Sequence, residues 1–469
     1  MNTAAQSAAP PSATAGTPVV KVSRAGVLAF GAVALPLSTI GLPLTIYLAP
    51  FYAGEMGLSL AALGTAMVLA RILDIVVDPL IGSLSDRLPT RFGRRKPWLV
   101  LGALVLLLGM VKLFHPPQGV TLPYFLFWLG VMYVGFSLVQ VPHRAWGAEL
   151  SPFYDERTHI SSVRQFFATA GLIVSTLVPA LVLARQGATS ADVLSSLSTM
   201  TLIVLPLLVL LNLYFTADKT LPRVESAQVR LTWRAQWRAV QRNGPLRTIL
   251  LVLFIGFSAE TFRQTLTVFY ARDVIGVPNL GLVYVYYFIS AFAGVPVWRW
   301  VAKRTGKHNA LALGMVVAIA TNLGLFMLGR GDTVLFTTMF IIKGFCFGAL
   351  DLLPGAMLAD ATDVDSAVSR KARAGLLFAM AGVATNLGQA VGQGLSLNAL
   401  SWIGYRAAGE TSETALTSLK MLYALAPSAV LALAMVIALR YTLTAPRHER
   451  LRQALQRRLA ATNAGSAGS

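Results

Sequence analysis

The sequence predicts an all-α membrane protein of twelve spans in two six-helix halves, and three observations carry that reading. First, 55% of its 469 residues are hydrophobic and 13% charged, with a mean hydropathy of +0.64. A water-soluble chain of this length needs far more polar residues to clothe its surface. Second, apolar stretches of about 20 residues, enough to cross a hydrocarbon core, begin near Ala25, Leu60, Trp98, Leu122, Ile160, Leu197, Arg247, Leu280, Asn309, Thr333, Ala374 and Leu419. Third, the longest internal polar stretch, Ala217 to Pro245, falls after the sixth of them.

The expected organisation follows from these stretches. Residues 1–24, rich in Ala, Ser, Thr and Pro and lacking a signal-peptide core, read as a disordered cytosolic tail. Residues 25–216 form the first bundle, 217–245 a cytosolic central loop, 246–442 the second bundle and 443–469 a basic cytosolic tail. Gly and Pro interrupt several spans, as in GAVALPLSTIGLPL, which membrane helices tolerate where neighbours or a hydrated cavity satisfy the freed backbone.

A net charge of +19 raises nucleic acid as a partner, but the basic residues lie between apolar runs and form no aromatic-studded domain. They read as a topology signal instead. Arg87, Arg91, Arg94, Arg95, Lys96, then Lys219 to Arg242, Lys303, Arg304, Lys307, Arg370, Lys371, Arg373 and Arg447 to Arg458 share one side. The other side has little beyond Arg185, Arg272, Arg330 and Arg406, so both termini are expected in the cytoplasm. The single cysteine, Cys346, excludes an intrachain disulfide and a thiolate metal site and reads as a small packed residue.

An internal echo supports the two halves. PLIGSLSDRLPTRFGRRKPWLVLGALV follows the second span and PVWRWVAKRTGKHNALALGMVV the eighth. Each has a proline-started helix end, a basic turn with glycine and a return to apolar sequence, the pattern of a parallel repeat with its substrate site between halves. Chance similarity of two cytosolic turns is the alternative.

Within the second span Arg71, Asp74 and Asp78 are spaced i, i+3, i+7 and share one helical face, with the carboxylates about 6 Å apart along the axis. Carboxylates in a membrane helix are costly unless paired or hydrated, so the face serves either cation coupling or, as the plainer alternative, a salt bridge locking helices together. Glu260 and Arg263 are i, i+3 neighbours in the seventh span, and Lys343 and Asp351 lie about two turns apart in the tenth. Each pair either neutralises itself or offers a second proton site. A polar, aromatic path is drawn by Tyr133, Gln140, His143, Arg144 and Trp146 in the fourth span and by Asn386, Gln389 and Gln393 on one face of the eleventh. Amides and aromatic faces suit a glycoside, while interhelical hydrogen bonding is the bland reading of the amides. His143 and Arg144 lie near the cytosolic end, where an interfacial position is the equal alternative. No phosphate-binding Walker loop, nucleophile elbow or His-carboxylate metal cluster occurs, which argues against ATP-driven transport and an embedded hydrolase. A twelve-span receptor is the rival class.

Gly82, Asp86, Arg87, Gly93, Arg94 and Arg95 resemble the cytosolic turn motif of the major facilitator superfamily, with extra residues inserted. Continued into Lys96, Pro97 and Trp98, and joined by RILDIVVDPLIG, VPHRAWGAELSPFYDERTHISSVRQ and MLADATDVDSAVSRKARAG, the set is similar to the glycoside-pentoside-hexuronide:cation symporters, which include the melibiose carriers. The resemblance runs from about Phe30 to Tyr405 and implies the major facilitator fold and symport of a sugar-like solute by a bacterial inner-membrane monomer. By it, Asp74 and Asp78 match the cation-site aspartates and Arg164 the sugar-binding arginine of helix five. Asp86, Arg87, Arg94 and Arg95, charges at helix ends between the two halves, read as a gate latch that pairs on one side of a transport cycle, with a plain topology role for the arginines as the equal alternative. This chain departs from the pattern at Val77, Gln140 and Asn386, where sodium-using relatives supply an amide, a carboxylate and a lysine, and at Ser38, where they place a sugar-gripping aspartate. Fewer hard oxygen ligands favour a proton over a possible sodium ion at Asp74 and Asp78, since protonation needs one carboxylate only. The expected substrate set is Ser38, Arg71, Tyr133, Trp146, Arg164, Glu260, Arg263, Asn386, Gln389 and Gln393, with Gln140 joining the aspartates in coupling. No cofactor is expected, and the family resemblance also extends to carriers of amphiphilic lipids.

Overall fold

The computed structural model describes residues 22–87, 90–151, 154–216, 243–369, 374–407 and 411–443. The expected 217–245 loop from residue 217 to 242, most of both tails and the basic triplet Arg370, Lys371 and Arg373 lie outside the described residues. Twelve long helices make up the described chain: α1 Arg24–Gly54, α2 Leu60–Arg87, α3 Lys96–Phe114, α4 Leu122–Glu149, α5 Tyr154–Val182, α6 Ser190–Phe215, α7 Gly244–Ile275, α8 Leu280–Thr305, α9 Lys307–Phe326, α10 Thr333–Ser369, α11 Ala374–Trp402 and α12 Glu413–Leu439. Eleven are long and apolar enough to cross a membrane; α11 falls outside that group among the described residues, its apolar surface diluted by Asn386, Gln389 and Gln393.

Two starts precede the hydropathic edges because capping extends a helix beyond its apolar run. α6 begins at Ser190 and not near Leu197: Thr189 and Asp192 form a reciprocal capping box that satisfies the first free amides. α7 is started by Asn243, whose side chain accepts from the Leu246 amide and donates to the Ala361 carbonyl of α10. At the other extreme, MLADATDVDSAVSRKARAG, expected between spans ten and eleven, remains helical through Ser369. α1 is interrupted at Val33 and contains Pro43 and Pro50, while α7 ends in a wider π turn from Tyr270 to Ile275.

Membrane helices gain little hydrophobic energy from one another, so close approach of small residues carries much of their packing. The seam between α3 and α4 shows this: a Cβ on Gly135 would stand 2.3 Å from the Leu106 amide nitrogen. Between halves, α2 packs on α11, α5 on α8 and α1 on α7. The tight parts of these seams lie at the face opposite the basic turns. There Gly64 of α2 meets Leu397 and Gly394 of α11, Gly281 of α8 meets Pro179 and Ala180 of α5, and Asn279 donates to the Ala180 carbonyl at 2.8 Å. A buried core containing Tyr47, Tyr52, Phe269, Tyr284 and Leu397 runs through both halves at this far face. A second core, from Leu246 to Tyr441, belongs to the second half alone. Among the described residues the tightest contacts between halves thus lie at the far face.

Candidate functional site

α2 places Arg71, Asp74 and Asp78 on its face toward α4. Asp74 is buried; its Oδ1 accepts from Ser137 of α4 at 2.9 Å, and its Oδ2 lies 3.6 Å from the Arg71 guanidinium. That guanidinium sits 5.0 Å from the centre of the Tyr133 ring, and its Nε is buried without a partner among the described residues. One turn further toward the basic face Asp78 is half-buried, with exposed Arg144 and half-buried Arg164 in the same charged neighbourhood. The geometry therefore joins Arg71, Asp74 and Tyr133, and adds Ser137, which sequence reasoning missed.

Other expected residues are placed differently. Trp146 is buried edge-on against Phe30 of α1, and His143 stacks on the same ring at 4.2 Å while contacting the Phe30 carbonyl at 2.9 Å. These two side chains pin α1 to α4, so Trp146 offers a solute little surface. Ser38 lies against Gly171 of α5, next to Thr39, whose hydroxyl donates to the Gly171 carbonyl. Gln140, Asn386, Gln389 and Gln393 have no side-chain hydrogen-bond partner among the described residues, so the interhelical bonding considered for the three α11 amides is not seen there. On α11 the amides fall between two seams: Gly388 and Gly392 face the α7 backbone, and Gly394 faces α2.

The second half holds a tighter charge cluster. Glu260 Oε1 is 2.6 Å from the Arg263 guanidinium and accepts from Gln264 at 3.3 Å, whereas Oε2 meets Arg263 Nε and Lys343 Nζ only at 3.5 Å. Arg263 is fully buried, donates to the Tyr423 hydroxyl of α12 at 3.1 Å and lies over the Phe340 ring. Lys343 donates to Asn322 of α9 at 2.6 Å. Lys343 is thus paired with Glu260 and Asn322, and the span-ten partner considered for it, Asp351, is exposed on α10.

At the basic face Arg95 of the α2–α3 turn is buried and donates to Ser85 at 2.7 Å, Asp86 at 2.6 Å and Glu149 of α4 at 2.7 Å. Arg94 reaches the same Glu149 carboxylate at 2.5 Å. Of the expected gate residues, Arg94 and Arg95 meet carboxylates of their own half, including Glu149, which was unforeseen from the sequence; the Arg87 side chain is outside the described residues. Burial works against the charged form of Glu149, but the hydrogen bonds from Arg95 and Arg94 outweigh it and hold the carboxyl below its ordinary range. The second half repeats the tether at the matching place: Lys307, at the start of α9, pairs with Asp360 of α10 at 2.6 Å.

Comparison with known proteins agrees with this architecture. A family model described as MFS/sugar transport protein matches residues 29–445. The chain is 26% identical to an isoprimeverose transporter of Lactiplantibacillus pentosus, over 81% of each chain. It is 25% identical to a putative glycoside/cation symporter of Escherichia coli (88% of this chain, 91% of the relative). It is 23% identical to a sodium-dependent lysophosphatidylcholine symporter of Danio rerio (90% and 86%). Among solved structures, a bacterial homologue of the lysosomal transporter Spinster superposes with a TM-score of 0.68 at 13% identity, covering 89% of this chain and 95% of that one. With twelve helices in this fold and a family match across nearly its whole length, the chain is a multi-pass membrane transporter, not an enzyme, and belongs to the MFS/sugar transport protein family of the glycoside-pentoside-hexuronide:cation symporter group.

Proposed function

We propose that this protein couples the inward movement of protons to uptake of a sugar or glycoside by alternating access, as a monomer in a bacterial cytoplasmic membrane with both termini in the cytoplasm. The observation that carries the reading is the α2 face: Asp74 is a membrane-buried carboxylate with one hydroxyl donor and one loose ion pair, and Asp78 beside it opens to the cleft. Such a group is expensive to bury without work to do. Arg71 already holds a positive charge 3.6 Å from Asp74, so a sodium ion there would face a fixed cation, whereas a proton adds no competing ligand shell. Arg164 and the unpartnered amides Asn386, Gln389 and Gln393 supply donors and acceptors for hydroxyls on the two sides of the cleft, and Glu260 Oε2 adds an acceptor in the second half. A cargo with an apolar tail is a second reading, favoured by the lysophosphatidylcholine symporter among the relatives.

Proteoliposomes containing the protein and a panel of labelled pentosides, hexosides and hexuronides test this directly. Accumulation driven by an imposed pH gradient, lost in Asp74→Asn while sugar counterflow persists, is the expected outcome. Accumulation that responds only to a sodium gradient, or that survives Asp74→Asn, overturns the coupling assignment.

A further inference from the structure

The two repeated turns at the basic face use their cations differently. Arg94 and Arg95 of the α2–α3 turn meet Asp86 and Glu149, and in the α8–α9 turn Lys307 meets Asp360. Arg299, Lys303 and Arg304, on the last turns of α8, are exposed and meet no carboxylate among the described residues. The rotation of α8 fixes where they point. Trp298 is buried and donates its indole N–H to the Phe345 carbonyl of α10 at 2.7 Å, which turns Trp300, two residues on, to the opposite side, where it is 54% exposed. The exposed stripe of the helix, Ile289, Phe292, Val297 and Trp300, follows that outer side, away from the seams with α5, α9 and α10. The Arg304 guanidinium lies 4.3 Å from the centre of the Trp300 ring, with Lys303 beside it and Arg299 one turn back.

From Ile289 to Trp300 the stripe rises about 16 Å, the depth of one leaflet of a hydrocarbon core ~30 Å thick. Trp300 therefore ends the apolar wall at the level where amphipathic rings sit, and Arg304, about 6 Å further along, reaches the headgroups. The three cations repel one another, Arg299 and Lys303 most directly as i, i+4 neighbours. A topology signal needs only their charge; it does not need them ranged on the lipid side of one helix around an exposed indole. The chemistry that fits is an anion carrying apolar chains. We infer that the outer face of α8 is a docking surface for an anionic phospholipid of the leaflet at the basic face. Its phosphodiester accepts from the Arg304 fork and the Lys303 ammonium, Arg299 adds a third positive charge, and its acyl chains lie along Val297, Phe292 and Ile289. Because α8 also packs on α5 of the first half, the lipid holds a helix of the seam between halves.

The full chain in nanodiscs tests this through the fluorescence of Trp300, taken as the difference between the protein and its Trp300→Phe variant, with lipids brominated on their acyl chains as quenchers. Brominated phosphatidylglycerol diluted into phosphatidylcholine is expected to quench Trp300 at a lower mole fraction than brominated phosphatidylcholine, by about fivefold for each charge that engages the headgroup. High salt is expected to shrink that preference. Arg304→Gln is expected to remove about fivefold of it, and the combined Arg299→Gln, Lys303→Gln and Arg304→Gln variant all of it. Equal quenching by the two lipids in the wild-type chain overturns the docking surface without recourse to any variant, as does an undiminished preference in the folded triple variant. Displacement of the brominated lipid by soluble glycerol phosphate would assign the cations to a free phosphate and overturn it as well.

Discussion

The two halves carry charge in opposite ways. Away from the basic-face tether, the ionisable groups of the first half are strung along one face of α2 and shared loosely with α4 and α5: a single 3.6 Å ion pair, one hydroxyl donor, and Asp78, Arg144 and Arg164 in the same charged neighbourhood. In the second half Glu260, Arg263 and Lys343 are drawn from two helices, tied to Asn322 and Tyr423 of two more, and buried. Loosely held charges can exchange a partner during a transport cycle. Tightly held ones resist such an exchange.

Breaking that contrast is most damaging in the second half. Removing one partner of a buried pair strands the other charge, so Arg263→Met is expected to destabilise the protein by ~3–5 kcal/mol, read as a fall in melting temperature in detergent. Arg71→Met, at a partly exposed and looser pair, is expected to lower it far less; equal shifts would erase the distinction between the halves.

The basic-face tethers give a smaller, pH-dependent effect. Because the folded state holds Glu149 below its ordinary range, its contribution is present above the unfolded value near 4.3 and is lost as pH falls through the lower folded value. Melting temperature should therefore drop on acidification below about pH 4.3, and Glu149→Gln should remove that component of the drop while lowering stability at neutral pH. A wild-type acid profile in Glu149→Gln would show that Arg94 and Arg95 find other partners. Smallest of all, Lys307→Ala breaks a half-exposed pair and is expected to cost less than about 1 kcal/mol.

The spans, the division after the sixth and the Arg71–Asp74–Asp78 face were legible because they depend on local runs and helical spacing. Ser137, Asn322, Tyr423 and Glu149 were not, since each meets its partner across helices and sequence spacing says nothing about which faces meet. Glu149 left a faint signal as a carboxylate ending a span at the level of Arg94 and Arg95. Trp146 illustrates the converse: beside His143 and Arg144 it reads as cavity lining, yet Phe30 from α1 covers it. Helix ends erred where polar capping residues such as Thr189 and Asp192 outran the apolar signal.

Where α2 crosses α11, a methyl group on Gly64 would stand 2.9 Å from the Leu397 Cβ, and one on Gly394 would stand 2.1 Å from a Val68 methyl. In the alternating-access cycle proposed above, the crowding belongs to the conformer whose far face is shut. An added carbon atom there acts as a wedge that raises the energy of the shut conformer alone, and each 1.4 kcal/mol it adds shifts the balance of conformers about tenfold. Two glycines thereby hold an equilibrium constant: they set how long the carrier rests with its far face closed, and with it the rate at which the empty protein can turn round to load again.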